Sequence, residues 1–141
     1  MLPTTASAQV NFRIIPGETT EFVKKHVEEI INDERIEVKM KEGIYVANPS
    51  KISSTSSFGY NALQKTSREI FPEAIVSPSL VIAQTDSRYF SKICDNVFRF
   101  SPMQLNNDDL KRIHGIDERI SIKNYKQSIQ YYYQLILNSC I

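Results

Sequence analysis

The spacing of hydrophobic residues switches between two periods along this chain, and that switching limits the folds open to it. Residues 7–15, with the sequence SAQVNFRII, alternate apolar and polar side chains, which is typical of a strand with one buried face. Residues 20–33 instead carry apolar residues at helical spacing, after a candidate N-cap at Thr19. Residues 35–40 alternate again. A strand, a helix and a second strand would form part of a helix-on-sheet layer.

A second run of helices and strands is predicted after a stretch rich in Ser, Pro and Asn at residues 48–59, where we place a domain boundary. The predicted domains are therefore residues 1–47 and 48–141. Beyond the boundary, the pattern predicts a helix, two short extended pieces, a short helix, a strand at 97–103, a polar loop and a final helix from about Ser121. This order is typical of an α/β fold, in which ligands bind at the carboxyl ends of the strands.

The final predicted helix carries a stripe of aromatic and branched side chains. Its members are spaced by four, three, one and three residues: Tyr125, Ile129, Tyr132, Tyr133 and Ile136. Such a stripe is more often core packing than a ligand-binding surface, so we expect these side chains to be buried.

Charge and hydropathy argue against two classes of partner. The chain has 17 basic and 16 acidic residues among its 141, so its net charge is +1. Binding to nucleic acid needs a surplus of Lys and Arg, which this balance does not provide. No apolar run approaches about 18 residues, so we predict no membrane span, and the first residues lack the pattern of a signal peptide. The sequence does not indicate a compartment.

A first polar cluster, QTDSRYF at residues 84–90, follows a predicted extended segment. Thr85, Asp86 and Ser87 can each cap a helix. Arg88 in the first turn opposes the helix dipole, at a cost of about 0.3–1 kcal/mol. One explanation is that Arg88 binds a substrate carboxylate through two hydrogen bonds. The other is that it pairs with a neighbouring acidic side chain, and the spacing alone favours this second explanation.

A second polar cluster, RIHGIDER at residues 112–119, contains one of only two histidines in the chain. A metal-ligating histidine needs its other ring nitrogen held, and Asp117 or Glu118 could do this. Gly115 would let the backbone turn sharply beside His114. Zinc, however, takes three or four protein ligands, and the sequence has no HxH, HExxH or cysteine cluster. The residues alone therefore favour a polar turn over a metal ligand.

Other catalytic motifs are not found in these residues. There is no GxSxG nucleophile turn, and no GxGxxG or phosphate-binding loop among the four glycines. The two polar clusters are thus the candidates for chemistry.

Four segments taken in order resemble a known family. They are TTASAQVNFRIIPGETTEFV, SPSLVIAQTDSRYF, FRFSPM and KRIHGIDERISIKNY. Together they are similar to the C-terminal part of a di-zinc exopeptidase of the aminoacylase and carboxypeptidase S family, in its N-acyl-amino-acid hydrolase branch. The resemblance covers nearly the whole chain. Its specific parts are TDSRYF and HGIDERIS.

The resemblance implies a divided fold and assigns roles to the clusters. Residues 1–47 match the end of an α+β lid that usually dimerises, and residues 48–141 match the closing part of the zinc-exopeptidase catalytic α/β domain. His114 falls on the family's last zinc ligand, and Arg88 falls on the arginine that receives the substrate carboxylate.

Other residues of the two clusters also match the family's motifs. Thr85 and Asp86 match the substrate-binding motif around the arginine. Asp117 and Glu118 match the tail of the histidine motif and are expected to surround the metal ligand. Gln84 stands where many relatives have a small residue, so it is expected to narrow the substrate pocket.

The family's remaining chemistry is not in this sequence. By the resemblance, its HxD pair, its bridging aspartate and its Glu-Glu pair, one member of which is the general base, precede the lid, and no residues here match those positions. We therefore expect this chain to contribute one zinc ligand and a carboxylate clamp, and to be inactive alone. The complete enzyme would hold two zinc ions, or other divalent metals, and would dimerise through its lid.

Two other interpretations stay open. The chain could be a truncated, non-catalytic remnant that acts at most as a dimerisation or interaction module. It could also be an unrelated small α+β binding domain that carries these motifs by chance. The sequence does not indicate the acyl group or the preferred amino acid.

Overall fold

A computed structural model shows two compact units, with five helices among the residues that it describes. It describes residues 3–41, 43, 46–83 and 85–140. The units are Met1–Ile52 and Ser53–Ile141, so their boundary falls inside the Ser-rich stretch. The helices are α1 (Thr20–Ile31), α2 (Phe58–Ile70), α3 (Ser87–Phe90), α4 (Asn107–Leu110) and α5 (Ile122–Cys140). The assignment of the units to a lid and a catalytic domain stays a prediction.

The helices follow the predicted pattern closely, apart from α4. That helix lies inside the segment predicted as a polar loop. The helix α2 ends at Ile70, so Phe71, the residue before Pro72, lies outside it. This is expected because a residue that precedes proline disfavours the helical conformation. None of the helices in the described part of the chain is long and apolar enough to cross a membrane.

The predicted strands do not form among the described residues. The segments at 7–15, 35–40 and 97–103, and the described part of 73–84, have no regular secondary structure. The α/β class is therefore not confirmed by the structure. Alternation of side chains indicates two faces, but a strand also needs a neighbouring backbone to complete its hydrogen-bond ladder.

In the first unit, side chains and backbone turns define both ends of α1. The Thr19 hydroxyl accepts a hydrogen bond from the Phe22 amide at 3.1 Å, which confirms the predicted N-cap. At the other end, Asn32 is in the left-handed conformation with φ 41°, and its N–H donates to the Glu28 carbonyl at 3.0 Å. The helix therefore ends at Ile31, before the predicted end at residue 33.

A residue far along the chain also binds the start of α1. The Asn48 Oδ1 atom accepts hydrogen bonds from the Thr20 amide at 2.9 Å and from the Thr20 hydroxyl at 3.2 Å. These bonds satisfy a donor that the helix itself leaves unpaired. The apolar side chains of α1 contribute no fully buried residue, and Ile30 is 70% exposed.

In the second unit, α2 packs against α5 around one buried tyrosine. Tyr131 is fully buried, and its hydroxyl donates to the Leu63 carbonyl at 3.1 Å. The same hydroxyl shares a hydrogen bond of 3.0 Å with the Ser67 hydroxyl. Burial raises the pKa of the Tyr131 phenol, because a phenolate would lose its hydration there. The rings of Phe71 and Phe100 lie 6.1 and 5.1 Å from the Tyr131 ring.

The expected core stripe of α5 is exposed. Its five members are 48% to 66% exposed: Tyr125, Ile129, Tyr132, Tyr133 and Ile136. The expectation that they form the core was wrong, and the buried aromatic residue is Tyr131. Helical spacing alone did not identify the face that packs, because a buried phenol also needs hydrogen-bond partners, and α2 supplies them.

Side chains hold both ends of the segment at residues 97–104. The Ser53 hydroxyl accepts from the Val97 amide at 2.8 Å and donates to the Val97 carbonyl at 3.0 Å. The Asn124 amide group accepts from the Gln104 amide at 3.2 Å and donates to the Gln104 carbonyl at 2.7 Å. Each side chain thus satisfies both backbone groups of one residue, as a neighbouring strand would do.

Between these two ends, alternate side chains face the helix pair. A Cβ atom at Gly59 would lie 3.1 Å from the Phe98 ring, so the glycine permits this close approach. Phe100 contacts the Tyr131 ring. Arg99 lies between these two phenylalanines, and its side chain reaches the Ser87 hydroxyl instead.

A capping box begins α4. The Asn106 side chain accepts hydrogen bonds of 2.9 Å from the amides of Asp108 and Asp109. In return, the Asp109 carboxylate accepts from the Asn106 amide at 3.0 Å, and it also pairs with Arg112. The Asn106 amide, and then the Arg112 guanidinium, hold the pKa of Asp109 below its usual value.

The Tyr131 hydroxyl gives a direct test of the helix pair. We expect Tyr131→Phe to lower the free energy of unfolding by about 1–3 kcal/mol, because the buried Leu63 carbonyl and Ser67 hydroxyl lose a partner. Tyr133→Phe is the matched control, since Tyr133 is 66% exposed, and we expect a change within about 0.5 kcal/mol. Urea unfolding followed by circular dichroism measures both. Equal effects would contradict this account of the core.

The capping box predicts a sensitivity to acid. The pKa of Asp109 in the folded state lies below its value in the unfolded chain. The stabilisation that the Asp109 carboxylate gives to the fold is therefore fully present above the unfolded pKa of about 3.9. It is lost as the pH falls through the lower folded pKa. We expect the amide NMR signals of Asn106 and Asp109 to change in that range, and Asp109→Asn to abolish the transition. Asp108→Asn is the control and should leave the transition in place.

Candidate functional site

A short hydroxyl network builds the TDSRYF turn. The Thr85 hydroxyl accepts from the Ser87 amide at 3.3 Å and hydrogen-bonds the Ser87 hydroxyl. Asp86 occupies the N-cap position of α3, but its side chain makes no capping hydrogen bond. Of the three predicted capping side chains, Thr85 is therefore the one that binds the helix start.

Arg88 lies on the aromatic ring that follows it. Its guanidinium carbon is 4.7 Å from the centroid of the Tyr89 ring, and its Nη2 donates to the Tyr89 hydroxyl at 2.6 Å. The side chain is half-buried. A guanidinium has five N–H donors in a fixed fork that matches a carboxylate, and stacking on an aromatic ring restricts its orientation. The chemistry of this turn suits the recognition of an anion with two oxygens.

A second arginine joins this turn from the segment at residues 97–104. The Arg99 Nε–H donates to the Ser87 hydroxyl at 2.5 Å. Sequence reasoning did not single out Arg99. The available signal was the alternation in FRFSPM, which separates Arg99 from the two phenylalanines that face the helices.

The HGIDER turn has two residues in the left-handed conformation. They are His114 with φ 58° and Asp117 with φ 67°. Gly115 was expected to provide the sharp turn, but its φ is not positive. It instead permits a close backbone approach, since its N–H donates to the Arg112 carbonyl at 2.9 Å and a Cβ atom would lie 3.3 Å from that oxygen. A left-handed non-glycine residue costs about 1–2 kcal/mol, and in this turn His114 and Asp117 each adopt that conformation.

The carboxylates of this turn bind groups other than the imidazole ring. Glu118 accepts a hydrogen bond from the His114 backbone amide at 3.3 Å. Asp117 receives both its hydrogen bonds, of 2.8 and 3.0 Å, from Arg119. All four of these residues are exposed. The prediction that Asp117 and Glu118 orient the histidine ring therefore stays a prediction.

The described residues do not supply a complete metal site. No group of three or more His, Cys, Asp or Glu in the described ranges is arranged to hold a metal ion. A zinc site needs three or four protein ligands, so the exposed imidazole of His114 fits as one of them. None of the contacts described above joins the TDSRYF turn to the HGIDER turn. Gln84, expected to narrow a pocket, lies outside the described residues.

Several curated proteins are similar to nearly the whole chain. The "Probable carboxypeptidase S-like 2" of Dictyostelium discoideum is 45% identical over 139 residues, which are 99% of this chain and 26% of that protein. The "N-fatty-acyl-amino acid synthase/hydrolase PM20D1" of Xenopus tropicalis is 39% identical over 140 residues, or 99% of this chain and 27% of that protein. The corresponding PM20D1.1 protein of Danio rerio is 36% identical over 141 residues, with 99% and 27% covered.

The chain spans about a quarter of the length of these curated relatives. No solved structure matches it. A family model described as "Peptidase family M20/M25/M40" matches residues 3–138. The resemblance identified from the sequence segments is thereby confirmed: the chain belongs to the M20/M25/M40 family of peptidases.

Proposed function

We propose that this chain is part of a zinc-dependent hydrolase that cleaves peptides or N-acyl amino acids beside a free carboxylate. The family is one of peptidases, and the similar proteins have names that describe a carboxypeptidase and an N-fatty-acyl-amino acid hydrolase. A peptide's last residue and an N-acyl amino acid share one chemical group, which is an amide next to a free α-carboxylate. A protein that acts on either needs a group that binds this carboxylate.

The arrangement of Arg88 is the observation that carries the proposal. Its guanidinium is stacked on Tyr89 and lies in the specific part of the family motif. Two parallel N–H donors would fix both the position and the rotation of the substrate carboxylate. The amide to be cleaved is a short, fixed distance from that carboxylate, so Arg88 would also place the amide for reaction. Thr85 and Asp86 would flank the substrate on the same turn.

His114 would contribute one ligand to the metal site. Zinc, when bound, polarises the amide carbonyl and lowers the pKa of a bound water. The exposed imidazole suits this role, with Asp117 and Glu118 beside it in the turn. The general base and the remaining ligands would come from residues outside these 141. The complete enzyme would hold two zinc ions, or other divalent metals, and would form a homodimer through its lid.

A non-catalytic interaction module is the second candidate, and one observation favours it. The exposed stripe on α5 contains five large apolar or aromatic side chains. A contiguous exposed apolar patch of this kind is typical of a surface that binds another protein. As a truncated remnant, the chain would then act only by associating through such surfaces. In the hydrolase, further polypeptide of the same enzyme would cover the stripe.

The native polypeptide distinguishes these two candidates. We expect an antibody against residues 122–140 to detect, in the source cells, a band far above the 16.2 kDa of this chain. The precipitated protein should hydrolyse N-acyl amino acids or dipeptides, and a chelator should abolish that activity.

The purified 141-residue chain is the control and should show no hydrolysis, because it lacks a general base of this family. A native band at 16.2 kDa without activity would support the interaction module instead. Chelator-sensitive turnover by the purified chain would show that the base lies within these residues.

The two histidines form a matched pair for testing the metal ligand. Both are exposed, and His26 stacks on Phe22 in α1 with 6.2 Å between ring centroids. We expect zinc to bind the purified chain weakly and to shift the imidazole NMR signals of His114 alone, since one histidine is a poor site. His114→Ala should remove this response and abolish hydrolysis by the native enzyme, whereas His26→Ala should preserve both. Equal responses of the two histidines would contradict the assignment.

A further inference from the structure

We infer that Arg99 is a positioning residue for Arg88, acting through the Ser87 hydroxyl to hold the α3 turn in its substrate-binding orientation. This inference rests on the proposed function of Arg88 as the carboxylate-binding residue. It concerns a residue that neither cluster identified from the sequence contains.

The helix α3 needs support from outside itself. It has only four residues, and a helix of that length is not stable by its own hydrogen bonds. Within the described part of the chain, α2 and α5 are the helices that contact each other, and α3 contacts none of the others. Its orientation therefore depends on contacts with non-helical segments.

The segment at residues 97–104 is suited to give that support. Ser53 holds it at Val97, and Asn124 holds it at Gln104. The aromatic side chains on either side of Arg99 pack toward α2 and α5. The backbone of Arg99 is thus fixed to the core of the second unit.

Arg99 extends from this fixed segment to the α3 turn. Its Nε–H donates to the Ser87 hydroxyl, which in turn hydrogen-bonds the Thr85 hydroxyl. Thr85 also accepts from the Ser87 amide, so the first residue of α3 is held through both its backbone and its side chain. Arg88 is the next residue along. A displacement of Ser87 would therefore move the origin of the Arg88 side chain.

Such a displacement matters because two-point recognition of a carboxylate depends on direction. Two parallel N–H donors must align with two oxygens, and a shift of about 1 Å in a positioning group can greatly weaken a reaction or its ground-state complex. Loss of the Arg99 bond should therefore weaken the binding of carboxylates selectively. It should not affect a ligand of the same shape that has no carboxylate.

The test measures binding of N-acetyl-leucine and of its neutral amide, N-acetyl-leucinamide, to the 15N-labelled full chain by NMR. We expect the acid to bind more tightly than the amide, and Arg88→Gln to remove that preference. Arg99→Met and Ser87→Ala should each weaken binding of the acid about three- to tenfold, the effect of losing one hydrogen bond, and leave binding of the amide unchanged. The double variant should lose no more than Ser87→Ala alone, because Ser87→Ala already removes the interaction with Arg99.

Three controls separate positioning from loss of structure or charge. Ser87→Thr keeps the hydroxyl and should retain binding of the acid. Arg68→Met removes an exposed positive charge from α2 and should have no effect. The amide signals of Tyr131 and Gln104 should be unchanged in the Arg99 and Ser87 variants.

Each contrary outcome has one meaning. If Arg88→Gln removes the preference but the Arg99 and Ser87 variants bind normally, the positioning role is overturned and the proposed function stands. If the effects of the Arg99 and Ser87 variants add, Arg99 acts by another route and the inference is likewise overturned. If the unsubstituted chain does not distinguish the acid from the amide, both the clamp and its positioning residue are overturned.

Discussion

The buried hydroxyl of Tyr131 is the constraint on which the second unit depends. A phenol without partners would be costly inside the protein, and here the Leu63 carbonyl and the Ser67 hydroxyl both satisfy it. These bonds fix which face of α5 packs against α2 and the register between the two helices. The contact of Phe100 with the same ring then helps to position the segment at residues 97–104.

The two candidate clusters depend on that core to different degrees. The Arg88 turn is linked to the helix pair through Arg99 and the segment that carries it. The His114 turn is organised by local contacts, namely the capping box of α4 and two residues in the left-handed conformation. One cluster is thus shaped by distant packing, and the other by the sequence immediately around it. The hydrogen bond that supports the Arg88 turn joins residues 12 positions apart, whereas those of the His114 turn join residues two to four positions apart.

Local chemistry was predictable from the sequence, and non-local pairing was not. The cap at Thr19, the end of α2 before a proline and the two polar motifs each depend on a few adjacent residues. The choice of Tyr131 as the buried ring depends on groups more than sixty residues away, so periodicity within α5 could not reveal it. The strands failed for the same reason, because alternation carries no information about a partner.

The candidate site residues were identified from motifs, whereas the side chains that hold distant backbone segments were not. Arg88 and His114 stood out by residue type and company. Asn48, Ser53 and Asn124 look like ordinary polar residues in the sequence, yet each binds a backbone 20 or more residues away. Nothing in their immediate neighbours indicates such a role.

The side chains that hold residues 97–104 also affect how this fold tolerates mutation. In an ordinary sheet, the ladder is made by backbone N–H and C=O groups, which every residue except proline has, so most substitutions leave it intact. Here a hydroxyl at Ser53 and an amide at Asn124 perform that task, and a single codon change can delete either one. The attachment of this segment therefore depends on two specific side chains. A point mutation can remove either attachment, whereas most point mutations leave a backbone ladder in place.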